Sequence, residues 1–215
     1  MRIEQQLENW LRAGVSAMGE LAIHSRADKW WLCHRDDLES ADLPISHGSG
    51  AATDLARFDD TGDYRPLKTA PTLRHGWRLQ LDSLRELRLA LEAFYPGALG
   101  LAVAQSHGDL EITPVRETLN RQTGMFRVTG LINGDDLKTL VCEKCRSSDG
   151  CLRRILWDLG PNEPALAFPL EKHEAHADPL DRGEKVIPLL CREFCNLMVG
   201  QARQVVKRAQ ARDSS

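Results

Sequence analysis

The sequence predicts an α+β fold, in which a small N-terminal α/β module precedes a mostly helical, cysteine-rich domain. Two observations carry this prediction. Apolar residues alternate loosely over 19–35 and end in polar turn residues, as short strands do, whereas beyond residue 83 apolar residues recur at helical spacing. Five of the six cysteines also fall in the C-terminal half. We therefore expect two domains, covering residues 1–80 and 81–215.

The N-terminal module contains one predicted helix before its strands. Residues 3–17 suit a helix, and residues 19–35 suit two short strands. The segment 36–76 is rich in Asp, Ser, Gly and Pro, so we expect connecting loop there, with helix only at 52–58. Residues 77–81 complete the module as a further strand.

Three local signals organise the region that follows. Ser83 and Glu86 form a capping-box pattern, and the apolar spacing behind them predicts a helix to Phe94. Thr113 followed by Pro114 predicts an N-cap and a proline in the first helical position. We expect a strand at 125–129 and, after the Asn133–Gly134 turn, a short helix that carries Cys142 and Cys145.

The predicted final helix carries the second pair of cysteines. An apolar stripe predicts that it begins after Pro188 and runs to about Arg212. Cys191 and Cys195, four residues apart, would then project from one inward face of its first turns. Residues 160–184 are expected to form a long polar loop between the two cysteine groups.

Charge and composition exclude several functions. Lys and Arg number 28 against 31 Asp and Glu, giving a net charge of -3. The chain therefore has no excess of positive charge that would attract nucleic acid or an anionic membrane surface. The N-terminus is charged where a signal peptide would be apolar, and the longest uncharged stretch, 93–108, is shorter than a membrane span. We expect a cytoplasmic protein, whose cysteines are thiols or metal ligands rather than disulfides.

The cysteine spacing predicts a metal or cluster site. Four thiolates hold a 4Fe-4S cluster, and cationic residues stabilise its negative charge; Lys144, Arg146, Arg153, Arg154 and Arg192 flank the cysteines. A single zinc held by Cys142, Cys145, Cys191 and Cys195 is the alternative, but it leaves Cys151 unused. The pattern Cys-x5-Cys followed by Cys-x3-Cys is similar to the cluster signature of sirohaem-dependent reductases. This favours the cluster, although packing alone also explains buried cysteines.

Five longer strings strengthen the cluster prediction. Residues 56–68, 72–77, 113–128, 150–157 and 191–197 are similar to the non-catalytic part of iron-sulfur-containing sirohydrochlorin cobaltochelatases, where a stabilising domain and a 4Fe-4S-binding domain follow a chelatase domain. The resemblance implies a 4Fe-4S cluster with Cys145, Cys151, Cys191 and Cys195 as ligands. Cys142 is then an additional thiol.

The histidines yield no catalytic assignment. The family's chelatase domain has no room in this chain, and His47 lies in a Ser-His-Gly-Ser-Gly turn that only superficially resembles a chelatase motif. His173 and His176 could hold a metal loosely, while His24, His34, His75 and His107 show no ligand spacing.

Three functional hypotheses remain open from the sequence. The first is an accessory cluster protein, a redox or regulatory partner of a chelatase or redox protein in tetrapyrrole and cobalamin biosynthesis. The second is a chelatase component that acts with a separately encoded catalytic subunit and depends on His47. The third is a zinc-stapled interaction module. A homodimer is compatible with each of them.

Overall fold

The computed structural model describes residues 3–145, 151–158 and 185–213, which pack into two units. The first unit comprises Met1–Asp109 and His176–Leu189, and the second comprises Leu110–Ala175 and Leu190–Ser215. Both units combine helices with strands, which confirms the α+β class. The predicted boundary at 80/81 lies inside the first unit, since the two helices after residue 83 pack with the N-terminal elements.

A mixed six-stranded sheet forms the centre of the first unit. Its spatial order is β4-β5-β3-β2-β1-β9, with parallel pairing at the two outer positions and antiparallel pairing between. The strands are β1 (Ala17–Met18), β2 (Leu21–Arg26), β3 (Lys29–His34), β4 (Ile45–His47), β5 (Arg78–Leu81) and β9 (Val186–Ile187).

A two-residue turn joins β2 to β3. Ala27 and Asp28 both have positive φ, 51° and 59°, as the type I′ hairpin turn requires. The turn sets the pairing of Arg26 with Lys29 and therefore the register of the whole hairpin. The two strands predicted at 19–35 are confirmed, and so is the strand predicted at 77–81.

Four helices pack with this sheet: α1 (Ile3–Arg12), α2 (Ser49–Arg57), α3 (Leu84–Phe94) and α4 (Ala98–Ser106). Ser83 caps α3 as predicted, because its hydroxyl accepts the Glu86 N–H at 3.2 Å. Trp77 and Phe94 stack in the core with ring centroids 5.2 Å apart. Helix α4 and strand β4 were not predicted, because the glycines and prolines beside them interrupt the spacing of apolar residues from which helices and strands are predicted.

The described residues of the second unit form three helices and two pairs of very short strands. The helices are α5 (Val115–Asn120), α6 (Gly134–Cys145) and α7 (Asn196–Asp213), with a 3-10 helix at Thr129–Leu131. In the described part of this unit, β6 (Thr113–Pro114) pairs with β8 (Trp157–Asp158), and β7 (Arg154–Ile155) pairs with β10 (Leu190–Cys191). Residues from all three helices share one core with Ile155, Trp157 and Phe194.

Three sequence predictions for this unit are wrong in detail. Residues 125–129 form turns that lead into the 3-10 helix, because Met125 and Thr129 bond within one turn instead of to a neighbouring strand. Helix α5 begins at Val115, with Pro114 at its N-cap position and Thr113 in β6. The final helix begins at Asn196, eight residues after Pro188, since the chain first forms β10. The predicted loop at 160–184 lies outside the described residues.

Asn133 and Asp136 form a reciprocal cap at the start of α6. The Asp136 N–H donates to Asn133 Oδ1 at 2.8 Å, and the Asn133 N–H donates to Asp136 Oδ2 at 3.3 Å. This is the capping-box arrangement, with aspartate in the place of the usual glutamate. The cap fixes where the helix begins, and Cys145 ends the helix three turns later.

In the described residues no single helix is long and apolar enough to cross a membrane. Helices α3 and α4 meet that test only when taken together, and they are bent by 108° relative to each other.

We predict that Gly19→Ala destabilises the first unit more than Gly14→Ala does. Both glycines have positive φ, so both variants carry backbone strain. A Cβ at Gly19 would lie 2.6 Å from the buried Tyr95 ring, whereas nothing lies within 4 Å of one at Gly14. The difference should be about 1–3 kcal/mol of unfolding free energy in urea titrations. Equal losses of unfolding free energy in the two variants would show that the Tyr95 ring can move away from the added Cβ at no cost.

We predict that Asn133→Ala lowers the unfolding free energy of the second unit by about 1 kcal/mol, because the Asp136 N–H loses its acceptor. Thr139→Ala, an exposed substitution on the same helix, should be neutral or slightly stabilising. Urea unfolding followed by circular dichroism measures both. A neutral Asn133→Ala would contradict a role for this cap in stability.

Candidate metal centre

Cys191 is positioned by the pairing of β7 with β10. The two strands run parallel, with Cys191 opposite Ile155, and the Leu156 N–H donates to the Cys191 carbonyl at 2.9 Å. The Cys191 thiol is 8% exposed and donates to the Glu193 carbonyl at 3.1 Å. The pairing therefore holds Cys191 beside the segment 151–155, which supplies Cys151 and Arg153.

Cys195 lies at the N-terminus of α7. Its carbonyl accepts the Val199 N–H at 3.0 Å, the first hydrogen bond of the helix, so Cys195 occupies the N-cap position. The prediction that Cys191 and Cys195 share a helix face is wrong, because Cys191 belongs to a strand. The result is chemically favourable, since the positive end of a helix stabilises nearby negative charge.

The side chain of Glu193 fixes the short connection between these two cysteines. Its carboxylate forms an ion pair with Arg121 at 3.1 Å and accepts a hydrogen bond from Gln122 Nε2 at 2.9 Å, just after α5. Helix α7 is held in turn by Arg203, which donates to the Thr123 carbonyl at 2.7 Å. Both ends of the connection are thus tied to the same turn after α5.

The two cysteines of helix α6 differ in whether they pack against the core of the second unit. Leu137, Leu140 and Val141 form its buried face, and Cys145 follows Val141 by one turn. Cys145 therefore packs against the core that contains Cys191 and Phe194, as does Cys195. Cys142 is partly buried but does not join that core.

Three of the predicted ligands interact electrostatically. The pKa of the Cys191 thiol is raised to about 11, mainly by burial; the Arg153 guanidinium lowers it, and the charges of Cys151 and Cys195 add to the rise. The charges of Cys151 and Cys195 thus act at Cys191, and Arg153 hydrogen-bonds to its sulfur. A bound metal would replace the proton that this environment keeps on Cys191.

Two buried donors in this unit have no acceptor among the described residues. They are Arg153 Nε and Trp157 Nε1. Trp157 is fully buried, with its ring centroid 4.4 Å from that of Phe194. Buried donors are normally satisfied, and the sulfurs of an iron-sulfur cluster accept such bonds. The residues present therefore fit a sulfur-rich anionic group.

The other predicted residues are dispersed. His47 is exposed on β4, an outer strand of the sheet, and belongs to no group of metal-type ligands in the described chain. Arg146, His173 and His176 lie outside the described residues. Cys33 is buried in β3, where burial raises the pKa of its thiol, so it acts as an apolar packing group.

Sequence reasoning missed two features. Trp157 was not singled out, because a tryptophan near cysteines carries no ligand pattern of its own. His34 and His75 are 41 residues apart, so no spacing rule links them, yet their ring centroids lie 3.7 Å apart in the first unit. Only the packing of two separate segments brings these histidines together.

Comparison with known proteins agrees with both units. Residues 3–110 match the family model of the DR2241 stabilising domain, and residues 107–204 match that of a 4Fe-4S iron-sulfur cluster binding domain. No curated protein matches the sequence. The expected order, a stabilising domain followed by a cluster-binding domain, is confirmed.

A solved structure extends the comparison over almost the whole chain. The crystal structure of DR2241 from Deinococcus radiodurans matches 96% of this chain at 28% identity, with a TM-score of 0.72. That protein is described as a multi-domain protein with structural similarity to chelatases and with two additional novel domains. This chain covers 42% of its length. Since the stabilising-domain model matches half of the sequence, the chain belongs to the DR2241 stabilising-domain family and carries a 4Fe-4S cluster binding domain after that domain.

Proposed function

We propose that the second unit binds one 4Fe-4S cluster through Cys145, Cys151, Cys191 and Cys195. The observation that carries this proposal is geometric: Cys191 and Cys195 belong to or pack against one core, and the pairing of β7 with β10 brings the segment that begins at Cys151 beside Cys191. Cys145 packs against the same core at the end of α6. The four sulfurs come from three separate segments, as ligands that surround a cluster must.

The surroundings support a cluster rather than a zinc ion. When bound, a cluster of this type supplies one-electron redox chemistry. The chain's own part is to exclude water with the Trp157–Phe194 pair, and to offset the negative charge with Arg153 and the first turn of α7.

We further propose that the protein acts as an accessory redox or regulatory partner of a chelatase. The support is the similarity to DR2241, a protein with structural similarity to chelatases, together with the resemblance of five sequence strings to cobaltochelatases. A tetrapyrrole of cobalamin biosynthesis would then be the partner's substrate. A redox role requires that the cluster be reduced reversibly, whereas a structural role does not.

Cys145→Ser and Cys142→Ser form a matched pair that tests the ligand set. The two residues lie three positions apart on α6. After anaerobic reconstitution, Cys142→Ser should keep about four irons and four sulfides per chain, and Cys145→Ser should lose them. Iron and sulfide analysis with the visible absorption spectrum provides the measurement. Cluster loss in Cys142→Ser alone would reject this assignment, and a colourless protein with about one zinc would reject the cluster.

Arg153→Met tests the electrostatic role of the partly buried guanidinium. Removal of a positive charge disfavours the reduced cluster, so its reduction potential should fall by about 60 mV, which is about 1.4 kcal/mol for one electron. Arg192→Met is the control, because Arg192 is exposed and water screens its charge. Potentiometric titration followed by electron paramagnetic resonance measures both. Equal shifts in the two variants would exclude a special position for Arg153.

A further inference from the structure

Two histidines and an aspartate converge in the first unit, apart from the cysteines in sequence. One ligand atom from each of His34, Asp36 and His75 lies within 4.8 Å of the other two. His34 ends β3 and Asp36 follows it in a short 3-10 helix, whereas His75 comes from the loop before β5. The imidazole rings are 3.7 Å apart and tilted by 49°.

His34 is a buried side chain with an unsatisfied nitrogen. It is 2% exposed, and its Nδ1 accepts the Asp36 N–H at 3.2 Å. Neutral His34 therefore carries its proton on Nε2, and that atom is buried without a hydrogen-bond partner. Glu20 Oε1 lies 3.6 Å from it, too far for a hydrogen bond.

The surrounding charge favours a cation. Four carboxylates face the two imidazoles: Glu20 and Asp36 beside His34, and Asp37 and Asp60 beside His75. The buried guanidinium of Arg65 lies 3.6 Å from Glu20, and Arg35 Nε lies 3.7 Å from Asp36, so two of the four negative charges are offset. The rings and carboxylates therefore bear a net negative charge.

The three ligand atoms lie near the separation that coordination requires. All three lie within 4.8 Å of one another, and His34 Nδ1 is 3.7 Å from Asp36 Oδ2. Two ligands of one tetrahedral ion, with bonds of ~2.0–2.1 Å, are separated by about 3.3 Å. A contraction of the group around an ion would bring the ligand atoms to that separation.

Backbone hydrogen bonds hold the carboxylates beside His75. The His75 N–H donates to Asp60 Oδ1 at 2.6 Å, and the Gly76 N–H donates to Asp37 Oδ2 at 2.7 Å. Each ring nitrogen of His75 thus faces one fixed carboxylate. A histidine that binds a metal through one nitrogen usually donates from the other to such a carboxylate.

We propose that His34, Asp36 and His75 bind a divalent transition-metal ion of the zinc class. His34 coordinates through Nδ1, replacing its long bond to the Asp36 N–H, and its Nε2–H turns to Glu20. Asp36 and His75 supply the other two ligands, with Asp37 or Asp60 orienting His75. Asp36 is exposed and His75 is half exposed, so an ion can enter and keep a water as its fourth ligand.

The test is zinc loading of the full chain with its cysteine site reconstituted anaerobically. After chelator treatment and addition of one equivalent of Zn²⁺, X-ray absorption at the zinc edge should show nitrogen and oxygen neighbours at ~2.0–2.1 Å and no sulfur shell at ~2.3 Å. Zinc bound only to sulfur, or no retained zinc, would overturn the proposal. Failure to retain zinc would overturn this proposal alone, whereas sulfur-bound zinc would argue against the cluster as well, so the two failures are distinguishable.

His75→Ala provides the variant, since His75 is half exposed and its loss should leave the fold intact. Its zinc affinity should fall at least tenfold in calorimetry, and Asp36→Asn should weaken binding in the same way. His107→Ala is the matched control, because it removes an imidazole 3.9 Å from the Asp109 carboxylate in the same unit. Wild-type affinity in His75→Ala or in Asp36→Asn, or equal loss in the control, would reject the site.

Discussion

The candidate metal centre depends on one short piece of parallel strand pairing. Residues 190–191 pair with 154–155, and two backbone hydrogen bonds around Leu156 extend the contact to β6 and to Cys191. This pairing joins segments that are about 36 positions apart in the chain. It places the Cys151–Arg153 segment beside Cys191, and the helix that starts at Cys195 then closes the same core.

The two units organise their polar groups by different means. In the second unit, Arg153 Nε and Trp157 Nε1 are buried without an acceptor among the described residues, and so are suited to an anionic sulfur group. In the first unit, the buried Arg65 donates to the Lys68 and Ala70 carbonyls and fixes the loop that leads to His75. There the excess charge is negative, and it favours a cation.

Local signals in the sequence were sufficient wherever one short segment determines its own structure. Ser83 caps α3 as its capping-box pattern predicts, a helix follows Asn133 as expected, and the β2–β3 hairpin follows from alternation over 19–35. The fold class and the order of a stabilising and a cluster-binding domain were likewise predictable, because specific strings carry the family resemblance. The ligand assignment itself remains a prediction.

The sequence by itself thus determined the helices with strong caps, the cysteine set and the family. Only the tertiary structure decided that Cys191 lies in a strand, that Cys145 and not Cys142 packs on the shared core, and that His34 meets His75. The physical reason is that an apolar stripe such as that after Pro188 records only which residues are buried. Which segment buries them depends on pairing and packing between residues far apart in the chain.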